Sequence, residues 1–396
     1  MQASSSIQQH DSVMMALGNA IQEARDQLNG EPQFLTVFVH GSDGDDRAGA
    51  LLDNVRRSCP KANVFGGVAD SLIGMGREIE NRASASVLMI RGLSELPRGF
   101  HMECEKTPDG WSVFGIDDDV HRNARACDGL LTVACPQTFS ADMLYESLQD
   151  MASDRENPVP VFGGNLSHTP WSKPTTMFLN EQTYRHGAIA LIMPPELRWS
   201  TLVSQGCRPI GEPMLITEME GHSILSLGGK PALDRLRQTF QQLPTHEQAM
   251  AMRLLLIGHA ISEYSESFSH GEFLIRNITS IDQDSKSISV AGRFQVGQTV
   301  RFHLRDADAA DGDLKQLMAM AAKSDMQPKA GMLFSCNGRG SNMFPTANHD
   351  ASIVEQYFPK MPCTGFFAAG EFGPVNHHNL VHGFTAVAAF LSETSR

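Results

Sequence analysis

Three stretches of this chain repeat one order of elements, and that repeat limits the fold more than any single residue does. The first runs LTVFVHG, a helical segment, ANVFGGVADS, a Gly-rich turn, then SASVLMIRG. The second runs LLTVACP (Leu130 to Pro136), a helix from Ser140 to Ala152, PVFGGNLS, a hairpin, then HGAIALIMP. The third runs GMLFSC, a helix around Ser352 to Phe358, CTGFFAAGEFG, a turn, then FTAVAAFL. Each reads as strand, helix, strand ending in two small residues, turn, strand. The small pairs are Gly66-Gly67, Gly163-Gly164 and Ala369-Gly370. Each unit ends in adjacent strands joined by a short turn, which predicts mixed and not all-parallel sheets. The fold expected is α/β, with mixed sheets covered by helices and strand-helix-strand-strand units arranged in two packed halves.

The first two units are consecutive, and the third follows an interval of about a hundred and thirty residues, room for another module. Short alternating runs in that interval predict antiparallel strands, with Gly228-Gly229 as one turn and Asp282 to Ser285 as another. They read as a meander against which the third unit packs. Ahead of the repeats, Val13, Ala16, Leu17, Ala20, Ile21, Ala24 and Leu28 recur at helical spacing. With Pro194-Pro195-Glu196 as the boundary, the expected organisation is an N-terminal helix over 1–30, an N-terminal half over 31–196 and a C-terminal half over 197–396.

Composition narrows the function classes. The chain has 396 residues, 41% apolar and 19% charged, with a formal net charge of −13. That balance argues against nucleic acid and anionic membrane as partners, because phosphate binding needs a basic face. Seven cysteines, scattered and without a CxxC pair, argue against a disulfide framework or structural zinc and fit a reducing compartment. The first thirty residues lack the pattern of a signal peptide, and no segment reaches the roughly 20 apolar residues of a membrane span. The cytoplasm is the expected location, and no cofactor is indicated.

Chemistry concentrates between Gly331 and Gly370. One apolar run ends in Cys336-Asn337-Gly338-Arg339-Gly340, and a second ends in Gly370-Glu371. Two strand ends are thereby expected to bring a thiol, a guanidinium and a carboxylate together on glycine-rich backbone. Arg339 could pair with a ligand carboxylate or phosphate, with the N–H groups of Gly338 and Gly340 as an anion nest. It could equally lock Glu371 in an internal ion pair. Cys336 is a candidate nucleophile that needs a base, yet none of His349, His377, His378 or His382 stands at a telling spacing, and a small buried hydrophobe is the alternative. His378 and His382, four positions apart, could chelate on a helix but have no third ligand at a telling spacing, and with His377 they read as a turn into the last strand. Asn165, behind Gly163-Gly164, is a candidate for the opposite wall of a pocket. Asp45 or Asp46, in the loop after Gly41, is expected to cap the next helix.

The phrases FLTVFVHG, NVFGGVADS, VPVFGGNLS and HGAIALIM resemble the N-terminal FIST domain. EGHSILSLGGKPALDRL, SCNGRG and CTGFFAAGEFGPV resemble the C-terminal FIST domain. The chain is thus similar to the family of F-box and intracellular signal transduction proteins, from about Phe34 to Leu391. The resemblance implies a sensory or ligand-binding module, with amino acids among the small ligands proposed for bacterial relatives, which are often fused to output domains. A eukaryotic relative carries an F-box ahead of its FIST domains and recruits substrates to a ubiquitin ligase. This sequence reads as the sensory part alone, without F-box or output domain, so it is expected to signal through another protein. Cysteine- or glutamate-dependent hydrolysis or transfer, and plain protein scaffolding, stand as the alternatives.

Overall fold

The structure, a computed structural model, describes residues 1–41, 46–108, 110–116, 120, 128–151, 158–167, 175–245, 247–248, 255–263 and 271–394. Three repeats share one internal plan. The first comprises β2 (Phe34–His40), α2 (Ala48–Ser58), β3 (Asn63–Val68), a hairpin of β4 (Ser71–Gly74) and β5 (Arg77–Glu80), and β6 (Ser84–Arg91). The second comprises β9 (Leu130–Ala134), α3 (Ala141–Met151), β10 (Val161–Leu166), a hairpin of β11 (Met177–Leu179) and β12 (Gln182–Tyr184), and β13 (Ala188–Ile192). In the third, β22 (Ala330–Cys336) and α6 (His349–Tyr357) lead into the long β23 (Cys363–Val375), then β24 (His378–His382) and β25 (Thr385–Glu393). In each repeat the first two strands pair in parallel and the last pairs antiparallel with the first.

The hairpins do not stay within their own repeats. β11 pairs antiparallel with β3 of the first repeat, setting Phe178 opposite Gly66. β4 pairs antiparallel with the start of β23, setting Ile73 opposite Gly365. The far end of β23, which with β24 forms the third hairpin, pairs with β10, setting Glu371 opposite Gly164. Each repeat therefore lends its hairpin to another in a closed cycle.

One glycine per repeat makes the close pairing possible. A Cβ at Gly66 would lie 1.8 Å from the Val37 carbonyl oxygen, one at Gly163 1.9 Å from that of Thr132, and one at Gly365 1.8 Å from that of Leu333. These glycines face equivalent residues of the first strands. The third repeat's counterpart is thus Gly365, not the Ala369-Gly370 pair that the sequence offered. Ala369-Gly370 sits further along β23, where Gly370 at φ 114° accompanies a register shift against β10.

Alternation along these strands sorts the core. Phe34, Phe38, Phe65, Phe162, Phe334 and Phe366 lie in one central cluster shared by all three repeats. Phe366 lies tilted at 4.8 Å from Phe38 and edge-on at 5.2 Å from Phe334, ring centre to ring centre. Each fully buried ring contributes about 1.5–3 kcal/mol relative to an exposed one. The opposite faces meet the helices: Leu35, Val37 and Val39 pack with Leu17, Ile21, Leu51 and Val55, and Leu333 packs with Ile353 and Val354. Arg47 occupies the N-cap of α2 without a side-chain cap bond, so Asp46 does not cap it; Asp45 lies outside the described residues.

Residues 1–30 are not one helix. β1 (Gln2–Gln9) precedes α1 (Val13–Leu28) and runs antiparallel along β6. Its sequence, QASSSIQQ, carries little of the apolar alternation that announces a strand. Its serines are buried because their hydroxyls are satisfied: Ser4 donates to the Ala24 carbonyl at 2.6 Å, and Ser5 accepts from the Cys363 N–H at 2.9 Å. Between repeats lie β7 (Arg98–Thr107), β8 (Gly110–Phe114) and β14 (Leu197–Gln205).

The contacts divide the chain into two compact units. The first takes in Met1–Val203, Leu314–Val381 and Thr385–Arg396, and the second Ser204–Asp313 with His382–Phe384. The third repeat shares its sheet with the second and with the β4–β5 hairpin of the first. In the second unit, β15 (Cys207–Glu220), β16 (Ser223–Leu227), β17 (Lys230–Pro231), α4 (Ala232–Gln241), β18 (Leu255–Ala260), β19 (Phe273–Asp282), β20 (Ser287–Val290) and β21 (Thr299–Arg305) follow in order, and α5 (Ala307–Lys323) comes next. β15 pairs with both β21 and β16, so the meander closes into a barrel around Ile216, Ile257, Ile288 and Phe302. The turn at Gly228-Gly229 is present, with φ of 55° and 72°.

The glycine contacts generate a direct test. Gly365→Ala and Gly163→Ala, each placing a methyl group on a backbone oxygen, are expected to destabilise by roughly 3 kcal/mol or more in urea titration. Gly18→Ala, in mid-helix with nothing within 4 Å of its would-be Cβ, is expected to stabilise by about 0.5–1 kcal/mol.

Candidate functional site

The end of β22 turns sharply. The Arg339 N–H returns to the Cys336 carbonyl at 2.8 Å, and a single 3-10 turn covers Gly340–Asn342. Gly340 takes φ 54°, and a Cβ there would meet the Phe367 ring at 2.8 Å and Glu80 Oε1 at 2.9 Å, so the position requires glycine. The Asn337 N–H donates to the Ala368 carbonyl at 2.9 Å, and the Asn337 carbonyl accepts from the Asn342 side chain at 3.0 Å. Asn337 itself is exposed and Gly338 half-buried. The turn folds the Arg339 side chain inward, where it is fully buried.

Its partner is Asp350 of α6, not Glu371. Nε donates to Asp350 Oδ2 at 2.7 Å and Nη2 to Oδ1 at 2.8 Å, a two-pronged pair between two buried groups. Ser335 donates to the same Oδ2 at 2.5 Å, and His349 Nδ1 lies 2.9 Å from Oδ1. Burial opposes ionisation of Asp350. The Arg339 charge and the hydrogen bonds from Arg339, His349 and Ser335 outweigh it and hold the carboxyl well below the ordinary carboxylate range. Phe344 fills the space beside this pair, stacked at 3.4 Å on the His349 ring and 5.3 Å from the guanidinium carbon.

Glu371 is also fully buried. Its Oε2 accepts from the Thr385 hydroxyl at 2.7 Å and the Thr385 N–H at 3.2 Å. Burial pushes its carboxyl up to about 7, against the opposing pull of the Thr385 donors, the Cys336 thiol and the Arg339 charge. Cys336, Arg339 and Glu371 are thus near enough to act on one another's charge, as the strand ends predict. They do so in a sealed interior, not in a hollow open to solvent. Asn165 lies one residue on from the Gly164–Glu371 pairing, and its Nδ2 donates to the Ala369 carbonyl at 3.3 Å. Arg339 Nη1, Glu371 Oε1 and Asn165 Oδ1 are buried without a hydrogen-bond partner among the described residues.

Four contributors escaped the sequence reading: Asp350, Ser335, Thr385 and Glu78. Asp350 follows Arg339 by eleven positions in the first turn of α6, a spacing with no motif to mark it. Glu78 comes from the first repeat's hairpin. Its N–H donates to Asn348 Oδ1 at 2.7 Å, and its Oε1 accepts from the Ala351 N–H at 2.9 Å, so a side chain of another repeat satisfies a free N–H in the first turn of α6. Burial, then the Asp350 charge, pushes the Glu78 carboxyl up to about 7. His377 belongs with Asn376 to a two-residue turn of positive φ between β23 and β24, and His378 opens β24.

Linkage fixes the sign of the pH response. Glu78 and Glu371 bind protons more tightly folded than unfolded, so their stabilisation is complete below about pH 4.5 and fades as pH rises to about 7. Asp350 works oppositely, its stabilisation present above about pH 4 and lost in acid. Urea midpoints are therefore expected to peak near pH 4–5 and fall towards pH 8, and Glu371→Gln is expected to flatten that fall. Arg339→Ala, which strands Asp350, is expected to cost about 3–5 kcal/mol.

Comparison with known proteins places this architecture. The FIST N domain matches residues 33–230 and the FIST C domain residues 232–374. An uncharacterised protein of Mycobacterium tuberculosis is 35% identical over 379 residues, covering 95% of this chain and 96% of its own. An uncharacterised protein of Mycobacterium bovis is 35% identical over 369 residues, covering 93% and 92%. F-box only protein 22 of Pongo abelii is 23% identical over 188 residues, 43% of each chain. No helix among the described residues is long and apolar enough to cross a membrane. With two domain matches spanning most of its length, the chain belongs to the FIST family, whose domains are associated with signal transduction.

Proposed function

We propose that this protein is a cytosolic sensor that binds a small polar metabolite, amino-acid-like or anionic, at the Arg339–Glu371 centre and signals through a partner protein. One observation carries the reading: Arg339 Nη1 is buried without a hydrogen-bond partner among the described residues, within electrostatic reach of the buried Glu371 carboxyl. Leaving such a group unpaired costs about 1–3 kcal/mol, more when charged. A molecule offering an acceptor to the guanidinium and a donor to the carboxyl would recover that cost. An amino acid carries both, and a small acid or hydroxy compound carries the first.

The geometry limits what Arg339 contributes. Asp350 already takes Nε and Nη2, so a ligand meets a single N–H edge and not the whole fork. Selectivity then falls to Glu371, whose Oε2 is fixed by Thr385 and whose carboxyl also feels the Cys336 thiol. Asn165 stands at the neighbouring strand with an unused acceptor.

A thermal-shift screen of amino acids, small carboxylic acids and neutral hydroxy compounds tests the reading. At least one compound is expected to raise the melting temperature by a few degrees at about 100 times its Kd. Glu371→Gln is expected to abolish that shift. A compound that stabilises wild type and Glu371→Gln alike would put the site elsewhere, and a screen without any stabilising compound would remove the sensor reading.

A further inference from the structure

Cys336 ends β22 at the edge of this interior. It stands opposite Ala368 of β23, three residues before Glu371, and retains 7% of its surface where Arg339 and Glu371 retain none. Its Sγ lies 3.8 Å from Oδ1 of the exposed Asn337, and Gly338, Ala369 and Gly370, next along the two segments, are half-buried. The sulfur therefore sits one layer beneath solvent. On its inner side the thiol acts on the Glu371 carboxyl as a hydrogen-bond donor, and the Arg339 charge acts on the thiol. Two donors of Thr385 fix that carboxyl in place. Arg339 Nη1 is buried without a hydrogen-bond partner among the described residues. A carboxylate to take the proton, a cation to hold the thiolate and an unused N–H beside them are what thiol oxidation needs. Burial dominates at Cys59 and Cys363 instead, pushing their thiols up to about 11 and about 12.

We propose that Cys336 is a peroxide-responsive thiol, oxidised by hydrogen peroxide to a sulfenic acid, with Glu371 as the base and Arg339 Nη1 as the donor that holds the product. Glu371 takes the thiol proton, the sulfur attacks one peroxide oxygen, and the O–O bond breaks as the S–O bond forms. The sulfur is oxidised by two electrons and the peroxide is reduced. The departing hydroxide takes the proton back from Glu371 and leaves as water. Only an oxidant of a few atoms reaches a thiol this covered, which favours hydrogen peroxide over larger electrophiles. The oxidation stands apart from the ligand reading above, but its consequence rests on it. The new oxygen uses the N–H edge that a metabolite would take, so oxidation and ligand binding exclude one another.

Peroxide treatment of the full chain, reduced and free of ligand, tests this. Samples are quenched in denaturant containing dimedone, which labels sulfenic acid, and each cysteine peptide is followed by mass spectrometry. Cys336 is expected to be labelled at least about tenfold faster than Cys59 or Cys363. Glu371→Gln is expected to slow Cys336 by about a hundredfold while leaving the Cys363 rate unchanged. A merely structural role for Glu371 would loosen the fold and speed both. Wild-type Cys336 labelled no faster than Cys363 overturns the proposal, even if Glu371→Gln does not fold. So does an undiminished Cys336 rate in Glu371→Gln. Selective Cys336 oxidation after a failed ligand screen would remove the sensor reading and leave the peroxide chemistry; a stabilising metabolite beside an inert Cys336 would do the reverse.

Discussion

The carbonyl oxygens of Val37, Thr132 and Leu333 stand where a side chain on the next strand would begin. Three glycines let the backbones approach that closely, and the cyclic exchange of hairpins is built upon the strands they join. Each second strand is flanked by its own repeat on one side and by a lent hairpin on the other. Every repeat thereby supplies an edge that another needs, and the phenylalanines of the inner faces meet in one cluster. Edge strands left open invite unwanted pairing, and lending hairpins in a ring covers these edges.

The Arg339–Asp350 pair follows from the same arrangement. A buried ion pair gains little over well-packed apolar residues, because desolvation of both charges offsets their attraction. Its presence adds an oriented guanidinium with one edge spare. Asp350 spends its capacity on Arg339, Ser335 and His349, so the Arg339 charge reaches Glu371 without a salt bridge between them. Burial thus raises the carboxyls of Glu78 and Glu371 above the ordinary carboxylate range, while Asp350 is held below it.

Much of this was legible in the sequence. The repeat, its parallel and antiparallel pairings and the mixed α/β class follow from apolar runs, glycines and spacing. So does the nearness of Cys336, Arg339 and Glu371, although only Cys336 ends a strand: Arg339 lies in the turn after β22, and Glu371 sits inside β23, which runs on to Val375 past the expected end at Gly370. What escaped has physical causes. β1 is written in serines whose burial depends on hydroxyl partners far along the chain. Gly365 lacks the second glycine that marks Gly66 and Gly163. Asp350 and Glu78 belong to the centre only through a helix terminus and a borrowed hairpin, and no local pattern records either. Barrel closure likewise depends on β15 pairing at both of its ends.

The borrowed hairpins also bear on how the chain is made. The β4–β5 hairpin emerges from the ribosome almost three hundred residues before the start of β23 reaches it, by rough count. Until then β4 has one strand neighbour, β5, and β10 awaits the distal half of β23. The segment matched as FIST N thus depends for two of its pairings on the segment matched as FIST C. Completion of the first unit accordingly depends on long loop closures. A nascent or truncated chain carries unsatisfied strand edges that chaperones would have to shield.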